Sequence, residues 1–581
     1  MEILNYDIVI LGSGLAGMRA ALEASIVSKD KARIAVISKL HAMRSHSVSA
    51  EGGISGVLYE GKNNDSSKLH AYDTVKGSDF LSDQDAVEYL VSHAPDEIRM
   101  FDHLGVPWNR NDDRNIQLRA FGGMSVPRTA FAADKTGFFM MSALYDNLLS
   151  HKNIDIFHEH VATKLLMDKN KFLGIYTFDL ASGDERAFMA PNGIIATGGF
   201  ARMYKFTTTA YSSTGDGIAL AYDAGLPLKN MEFIQFHPTA LVPSGILITE
   251  AARGEGAYLL NSKGERFMKR YAASKMELAP RDIISRAIMT ELEEGRGVKD
   301  KRFGKDEFVW LDLRHIGEAR IDQNLPMIRE IAIKMINVDC VKEPLPIRPA
   351  SHFTMGGIHT NIRGEVVGRD GKNTEGLWAA GECGCVSVHG ANRLGSNSLS
   401  QCVIWGGMTG AAAAKRKYTK AGVGQSPAQR KALQDASSEL NRIMEAKGSE
   451  NPYSIRETLW QEMNDHVYVY RREKELVEAK KRLMELAKRF KNVSVDDKGK
   501  TYNTNLRDVI EIKHMLALAQ VVVECALART ETRGAHAMRE YPKRDDKHWL
   551  KHTIAMNGSK GIQLSYIPVK ITRWQPEERK Y

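Results

Sequence analysis

The sequence predicts an α/β protein: a Rossmann-like dinucleotide-binding core with an inserted α+β segment, a helical part and a small C-terminal part. Three observations lead there. The first is a βαβ unit at the N-terminus. Residues 6–11 (Tyr-Asp-Ile-Val-Ile-Leu) form an apolar run suited to a buried parallel strand, then come Gly12-Ser13-Gly14-Leu15-Ala16-Gly17, an Ala-rich helix over 18–28 and a second strand over 33–38. The second is a pair of later strand-to-glycine turns, at 193–199 and 375–382. The third is a change of character near residue 415, after which charged and apolar residues alternate at helical spacing over 428–446 and 468–490.

Each element has its reason. Glycines at 12, 14 and 17 permit a tight turn and close backbone approach to a pyrophosphate, while the helix N-terminus offers N–H donors and a positive dipole end. A lone GxGxxG is weak, but here it has the required strand before it and helix after it. Gly12, Ser13, Gly14, Ala16 and Gly17 are therefore expected cofactor contacts. The acid that usually ends the second strand and binds a ribose is absent; Ser38-Lys39 stands there instead. The stretch 233–350 has no dinucleotide motif and reads as a capping domain inserted over a substrate site. The expected division is 1–232 with 351–415 for cofactor binding, 233–350 for the cap, 416–530 helical and 531–581 C-terminal. This last part contains Trp549, Trp574, Pro568 and Pro576 and looks extended.

At 581 residues the chain is too long for one core, and two to four domains are expected. No run of about 18 apolar residues exists to span a bilayer. The start, Met-Glu-Ile-Leu-Asn, shows no basic n-region or apolar h-region, so no signal peptide is expected. The five cysteines (340, 383, 385, 402, 525) are odd in number, lack a CxxC and fit a reducing compartment; an iron–sulfur cluster held by this chain alone would need about four clustered thiolates. Cys383 and Cys385 read as packing thiols, since a Cys-x-Cys disulfide is strained. The net charge of +9 is densest at 480–482, 488–491 and 543–544, where solvated helix faces or an acidic partner or anionic lipid surface explain it. No aromatic interleaving supports nucleic acid, which is not expected as a partner.

The block Met43-Arg44-Ser45-His46-Ser47-Val48-Ser49-Ala50-Glu51-Gly52-Gly53 is the most informative. Read alone, His46 is a polar loop residue touching a phosphate. The block resembles the flavin-attachment segment of succinate dehydrogenase and fumarate reductase flavoprotein subunits. Further blocks extend the resemblance over nearly the whole chain: Phe131-Ala132-Ala133-Asp134-Lys135-Thr136-Gly137, Thr214-Gly215-Asp216-Gly217, Phe236-His237-Pro238-Thr239, Thr249-Glu250-Ala251-Ala252-Arg253, Met276-Glu277-Leu278-Ala279-Pro280-Arg281-Asp282, Arg348-Pro349-Ala350-Ser351-His352 and His389-Gly390-Ala391-Asn392-Arg393-Leu394-Gly395-Ser396-Asn397-Ser398-Leu399. Arg533-Gly534-Ala535-His536 resembles the family's closing motif, with an altered continuation.

The resemblance implies FAD, bound covalently (8α-histidyl) at His46. It implies flavin contacts at Ser38, Lys39, Ser45, Ser47, Glu51, Gly52, Gly53, Thr197, Gly198, Asp216, Arg393, Ser398 and Leu399, and Glu382 in the ribose role missing after the second strand. It implies a dicarboxylate clamp of His237, Thr249, His352 and Arg393, with Arg281 as proton carrier and Glu250 and Arg253 as the relay that restores its proton. The chemistry suits these residue types. Interconverting succinate and fumarate requires two carboxylates gripped, a hydride moved at one face and a proton at the other; Arg holds carboxylates bidentately and stays charged. His237 counts in both roles. No metal ligand set is expected in this chain. Expected partners are an iron–sulfur subunit and a membrane anchor or quinone-binding subunit, holding the protein on the cytoplasmic side of the cell membrane. L-aspartate oxidase shares the fold but lacks the attachment His. Self-sufficient soluble fumarate reductases have extra haem or flavin domains. A non-catalytic dinucleotide-binding module would not need Arg281, His237, His352 and Arg393 together. Direction stays open: Glu51 and the 131–137 block look like fumarate reductases, Val386-Ser387-Val388-His389 like dehydrogenases.

Overall fold

Strands Ile154–Phe157, Ile34–Ile37, Ile8–Leu11, Asn192–Ile195 and Asn373–Ala379 lie side by side, all parallel, with Val9 between Ala35 and Gly193. Ile8–Leu11 and Ile34–Ile37 are buried at every position, as continuous apolar runs covered on both faces must be. The three glycine turns therefore meet at the carboxyl edge of one sheet, where open α/β sheets bind ligands. The computed structural model describes residues 1–61, 64–417 and 426–580. The stretch 418–425, at the start of the expected helical part, lies outside the described residues, as do 62, 63 and 581.

Helix Leu15–Ser28 packs against helix Asn397–Lys415. The approach is close because the second helix presents glycines: a Cβ on Gly410 would stand 2.2 Å from the Ala20 carbonyl oxygen.

The segment expected as the cap contains a four-stranded antiparallel sheet, ordered Ile234–Leu241, Leu345–Thr354, Val309–Asp312, Tyr258–Leu260. It encloses its own apolar cluster, drawn from residues between Leu241 and Ile347, with helices Arg281–Glu293 and Pro326–Ile336 contributing. The register of Ile234–Leu241 slips at Gln235/Phe236 and again between His237 and Ala240. Such bulges re-aim side chains beside active sites.

The helical part has Pro427–Met444 and Glu473–Phe490, where spacing predicted helices, and also Pro452–His466 and Thr504–Ala528. Thr504–Ala528 is buried on most of its circumference, so it shows no apolar stripe to betray it. The tail does not stay simply extended. Lys551–Gly558 and Gly561–Pro568 form a hairpin, and the first of these strands pairs with Leu228–Lys229. Much of the basic charge is tied down locally: Lys480 pairs with Glu524, Arg482 with Glu462, Arg489 with Glu450 and Arg544 with Asp79. Among the described residues no helix is long and apolar enough to cross a membrane.

Candidate active site

A cavity of about 790 Å³ opens at the carboxyl edge of the parallel sheet and continues under the antiparallel one. Gly12, Ser13, Gly14 and Ala16 line one end. Gly12 has φ +113° and a Cβ there would stand 2.2 Å from the Ala196 carbonyl oxygen, so only glycine makes the turn. Gly17 does not line the cavity; its missing Cβ, 1.9 Å from the Gly12 oxygen, lets helix and strand close on each other.

Ser13 and Ser38 share a hydrogen bond of 2.6 Å where a ribose acid was missing. Lys39 and Asp216 line the same end, but they spend their charge on each other at 2.7 Å. Lys39 also pairs with Glu511, and His514 Nδ1 lies 3.0 Å from Asp216. Both partners come from helix Thr504–Ala528. Burial favours a neutral Asp216, yet Lys39 and His514 outweigh it and hold its carboxyl well below the usual range. Lys39 and Asp216 thus brace the wall as an ion pair more than they offer free ligands.

Thr197, Gly198, Glu382, Ser398 and Leu399 line the middle. Glu382 accepts from the Thr354 backbone N–H at 2.8 Å, and burial raises its pKa to about 7. On the opposite wall are Ser45, His46, Ser47, Glu51, Gly52 and Gly53. Ser47 Oγ accepts from the Leu15 N–H, joining this loop to the fingerprint helix. His46 Nδ1 accepts from the Ala210 N–H at 3.3 Å, and desolvation lowers its pKa to about 4, so the ring is neutral. Burial, then the nearby Asp134 carboxylate, raises the Glu51 pKa well above its ordinary value.

At the far end stand His237, Thr249, Glu250, Arg281, His352 and Arg393. His237 and His352 come from adjacent strands with ring centroids 4.9 Å apart. Both are held far below the ordinary imidazole pKa, first by desolvation and then by the guanidinium of Arg281. Arg281 opens helix Arg281–Glu293 and donates from Nε to Glu250 at 2.7 Å and from Nη1 to Gln235 at 3.0 Å. Glu250 also accepts from the Gly122 N–H at 2.7 Å. Burial pushes its pKa up, but Arg281 and Arg253 outweigh that and lower it. Arg253 is behind Glu250, 3.4 Å away, and does not line the cavity; its side chain is wholly buried, so it does not itself reach solvent. Arg393 stacks on Phe353 at 4.4 Å, donates to Ser398 at 3.0 Å and makes no ion pair among the described residues.

Several participants escaped the sequence reading. Gln235 bridges Arg281 to the Arg393 carbonyl; its place two residues before His237 on one strand was an available signal. Glu511 and His514 lie on the helix that periodicity hid. Thr208 and Ala210 sit in a loop with no motif of its own.

The residues fit a flavin dinucleotide. Thr197 Oγ1, Ser396 Oγ, Glu51 Oε2 and Arg393 Nε are buried polar atoms without a partner, and all four residues line the cavity. Such atoms are costly unless a ligand meets them. Fold and site thus define an FAD-dependent flavoprotein with a capped substrate chamber, and a family model described as "FAD binding domain" matches residues 7–399. A second model, "Fumarate reductase flavoprotein C-term", matches residues 456–581. A fumarate reductase flavoprotein subunit from Mycobacterium tuberculosis is 42% identical over 99% of both chains. A succinate dehydrogenase flavoprotein subunit from Rickettsia bellii is 41% identical over 99% of this chain and 96% of its own. An E. coli quinol fumarate reductase chain superposes with TM-score 0.95 at 38% identity, covering 100% of this chain and 99% of its own. The chain belongs to the succinate dehydrogenase/fumarate reductase flavoprotein subunit family.

Proposed function

We propose that the chain interconverts succinate and fumarate as the flavoprotein subunit of a succinate:quinone oxidoreductase, with FAD linked covalently through His46. The observation that carries this is the charge at the far end of the cavity. Glu250, the carboxylate at that end, is already paired by Arg281 and by Arg253 behind it, while Arg393 lines the cavity with no ion pair among the described residues, so its guanidinium is left for a substrate carboxylate. Bound FAD supplies a site that accepts or gives a hydride at its N5.

The protein's own residues do the rest. Arg393, His237, His352 and Thr249 grip the two carboxylates and polarise one of them, which stabilises charge developing along the carbon chain. Arg281 donates or removes the proton on the opposite face. Glu250, ionised and in contact with both guanidiniums, returns that proton with Arg253 as the next station. At His46, Nδ1 takes a backbone N–H, so Nε2 is the atom left to bond the flavin 8α carbon; an Nε2-substituted imidazole keeps Nδ1 as a pure acceptor, matching the Ala210 contact. The division at 1–232 with 351–415, 233–350, 416–530 and 531–581 is supported for the cap by its separate apolar cluster. In this reading electrons leave through an iron–sulfur subunit to a membrane anchor with bound quinone, on the cytoplasmic face; the relative named a quinol fumarate reductase supports the quinone end of that path.

Two assays test this. The purified chain should transfer electrons between succinate or fumarate and artificial dyes. Its flavin should stay yellow and fluorescent on a denaturing gel, and His46→Ser should bind FAD without the bond, losing succinate oxidation more than fumarate reduction. Flavin released by acid precipitation of the wild type refutes the linkage; absence of both activities refutes the reaction.

A further inference from the structure

Four imidazoles line the cavity, and three of them, His46, His237 and His352, have Nδ1 met by a neighbour that bears on the tautomer they present to it. His46 Nδ1 accepts from the Ala210 N–H at 3.3 Å. His237 Nδ1 accepts from the Thr239 N–H at 3.3 Å; the Thr239 hydroxyl is committed to the Ile248 carbonyl at 2.7 Å. A backbone N–H can only donate, so in both neutral rings Nδ1 is the bare acceptor and Nε2 is the substituted nitrogen: it holds the proton in His237 and, in His46, the proton that the proposed flavin bond replaces. His352 differs, because its Nδ1 neighbour is a hydroxyl: Thr208 Oγ1, at 2.6 Å. A hydroxyl donates or accepts, so this tautomer is decided by where the Thr208 proton goes.

The surroundings decide it. The other acceptor in reach is the Ser351 carbonyl, 3.4 Å from Thr208 Oγ1. That oxygen already accepts the Thr208 N–H at 3.0 Å and the Thr207 hydroxyl at 2.8 Å. A carbonyl has two lone pairs, and both are taken by shorter bonds. The Thr208 proton therefore turns to Nδ1, and His352 presents Nε2–H. The opposite tautomer would present a lone pair to an incoming carboxylate, which is repulsive.

We propose that Thr208 is a positioning residue for the dicarboxylate site: its hydroxyl fixes His352 as a neutral Nε2–H donor, so that His237 and His352 present matched donors to the substrate. The inference rests on the assignment of His352 to dicarboxylate binding. Thr208 lines the same cavity, and the role assigned to it is through the ring it orients. Of the three tautomers it is the one that a side-chain substitution can release, since the other two are held by backbone.

The test uses the full-length flavin-loaded chain with dye-coupled assays in both directions, and malonate as a competitive probe. Thr208→Val, nearly isosteric but without the hydroxyl, should raise KM for succinate and for fumarate about tenfold, the usual size for one hydrogen bond to a charged group. The malonate inhibition constant should rise equally, kcat should change less than threefold, and flavin content should stay at the wild-type level. Thr208→Ser should restore KM to within about twofold. Thr208→Ala is measured alongside in case valine is not accommodated. His352→Ala separates the two readings. If it raises KM and Thr208→Val does not, the role of Thr208 is overturned while the site stands. If neither raises KM, the assignment of His352 fails. Loss of flavin from both the Val and Ala variants would make Thr208 a structural residue and also overturn the proposal.

Discussion

In the proposed reaction Arg281 is the proton donor, and since a free guanidinium is a very weak acid its neighbours matter as much as its own position. It touches Glu250 through two nitrogens and Gln235 through a third. Arg281→Ala should cut turnover by about 10³, the scale for losing a positioned acid, while malonate binding falls much less. Arg393→Ala should do the reverse and mainly weaken dicarboxylate binding. Stopped-flow flavin reduction and malonate titration distinguish the two. Glu250→Gln leaves Arg281 and Arg253 buried without their anion, which costs about 3–5 kcal/mol at neutral pH. The folded-state pKa of Glu250 is lowered, so its stabilisation is present above the unfolded value and is lost as pH falls through the folded one. The gap in melting temperature between wild type and Glu250→Gln should therefore be constant from pH 8 to about 5 and narrow below about 4.5. A gap that widens in acid would contradict the ionised relay.

At the scale of single elements, close packing is as legible as chemistry. Gly410 sits where helix Asn397–Lys415 crosses helix Leu15–Ser28, with no room for a Cβ against Ala20. Gly410→Val should destabilise by about 1–3 kcal/mol or more and lower flavin retention on gel filtration, because the fingerprint helix must shift. The βαβ unit and the three strand-to-glycine turns were readable because fully buried strands and mandatory glycines leave plain marks in sequence. His237, Thr249, His352 and Arg393, expected as the clamp, and Arg281, expected as the proton carrier, stand out in their blocks, and the structure brings all five to one cavity. Other parts were not readable, for physical reasons. Helix Thr504–Ala528 is covered nearly all round and has no amphipathic stripe. Gly17 looked like a ligand contact because the same residue type serves both tight phosphate approach and tight helix packing. The roles of Thr208 and Ala210 depend on a contact between distant chain segments, which no local pattern announces.

For the whole molecule, the expected docking side was the basic helical region. Lys480, Arg482 and Arg489 are engaged within the chain, so surface charge there is less than the sequence count suggests. Attachment to a membrane complex should still show itself operationally. Co-purification from native membranes should bring a chain with clustered cysteines, and chaotrope should release this one still able to reduce dyes with succinate but unable to reduce a quinone in lipid. Robust quinone reduction by the isolated chain would refute the need for partners. The knot of Lys39, Asp216, Glu511 and His514 has a consequence in time. Its first two members belong to the N-terminal half, yet His514 follows Asp216 by 298 residues. At about 5–20 residues per second, a ribosome makes the later helix roughly 15–60 s after Asp216. Until then the wall near the second strand lacks two of the four side chains of this knot. The nucleotide cradle announced by the earliest motif in the chain is thus completed late in synthesis, and stable cofactor loading has to wait for it.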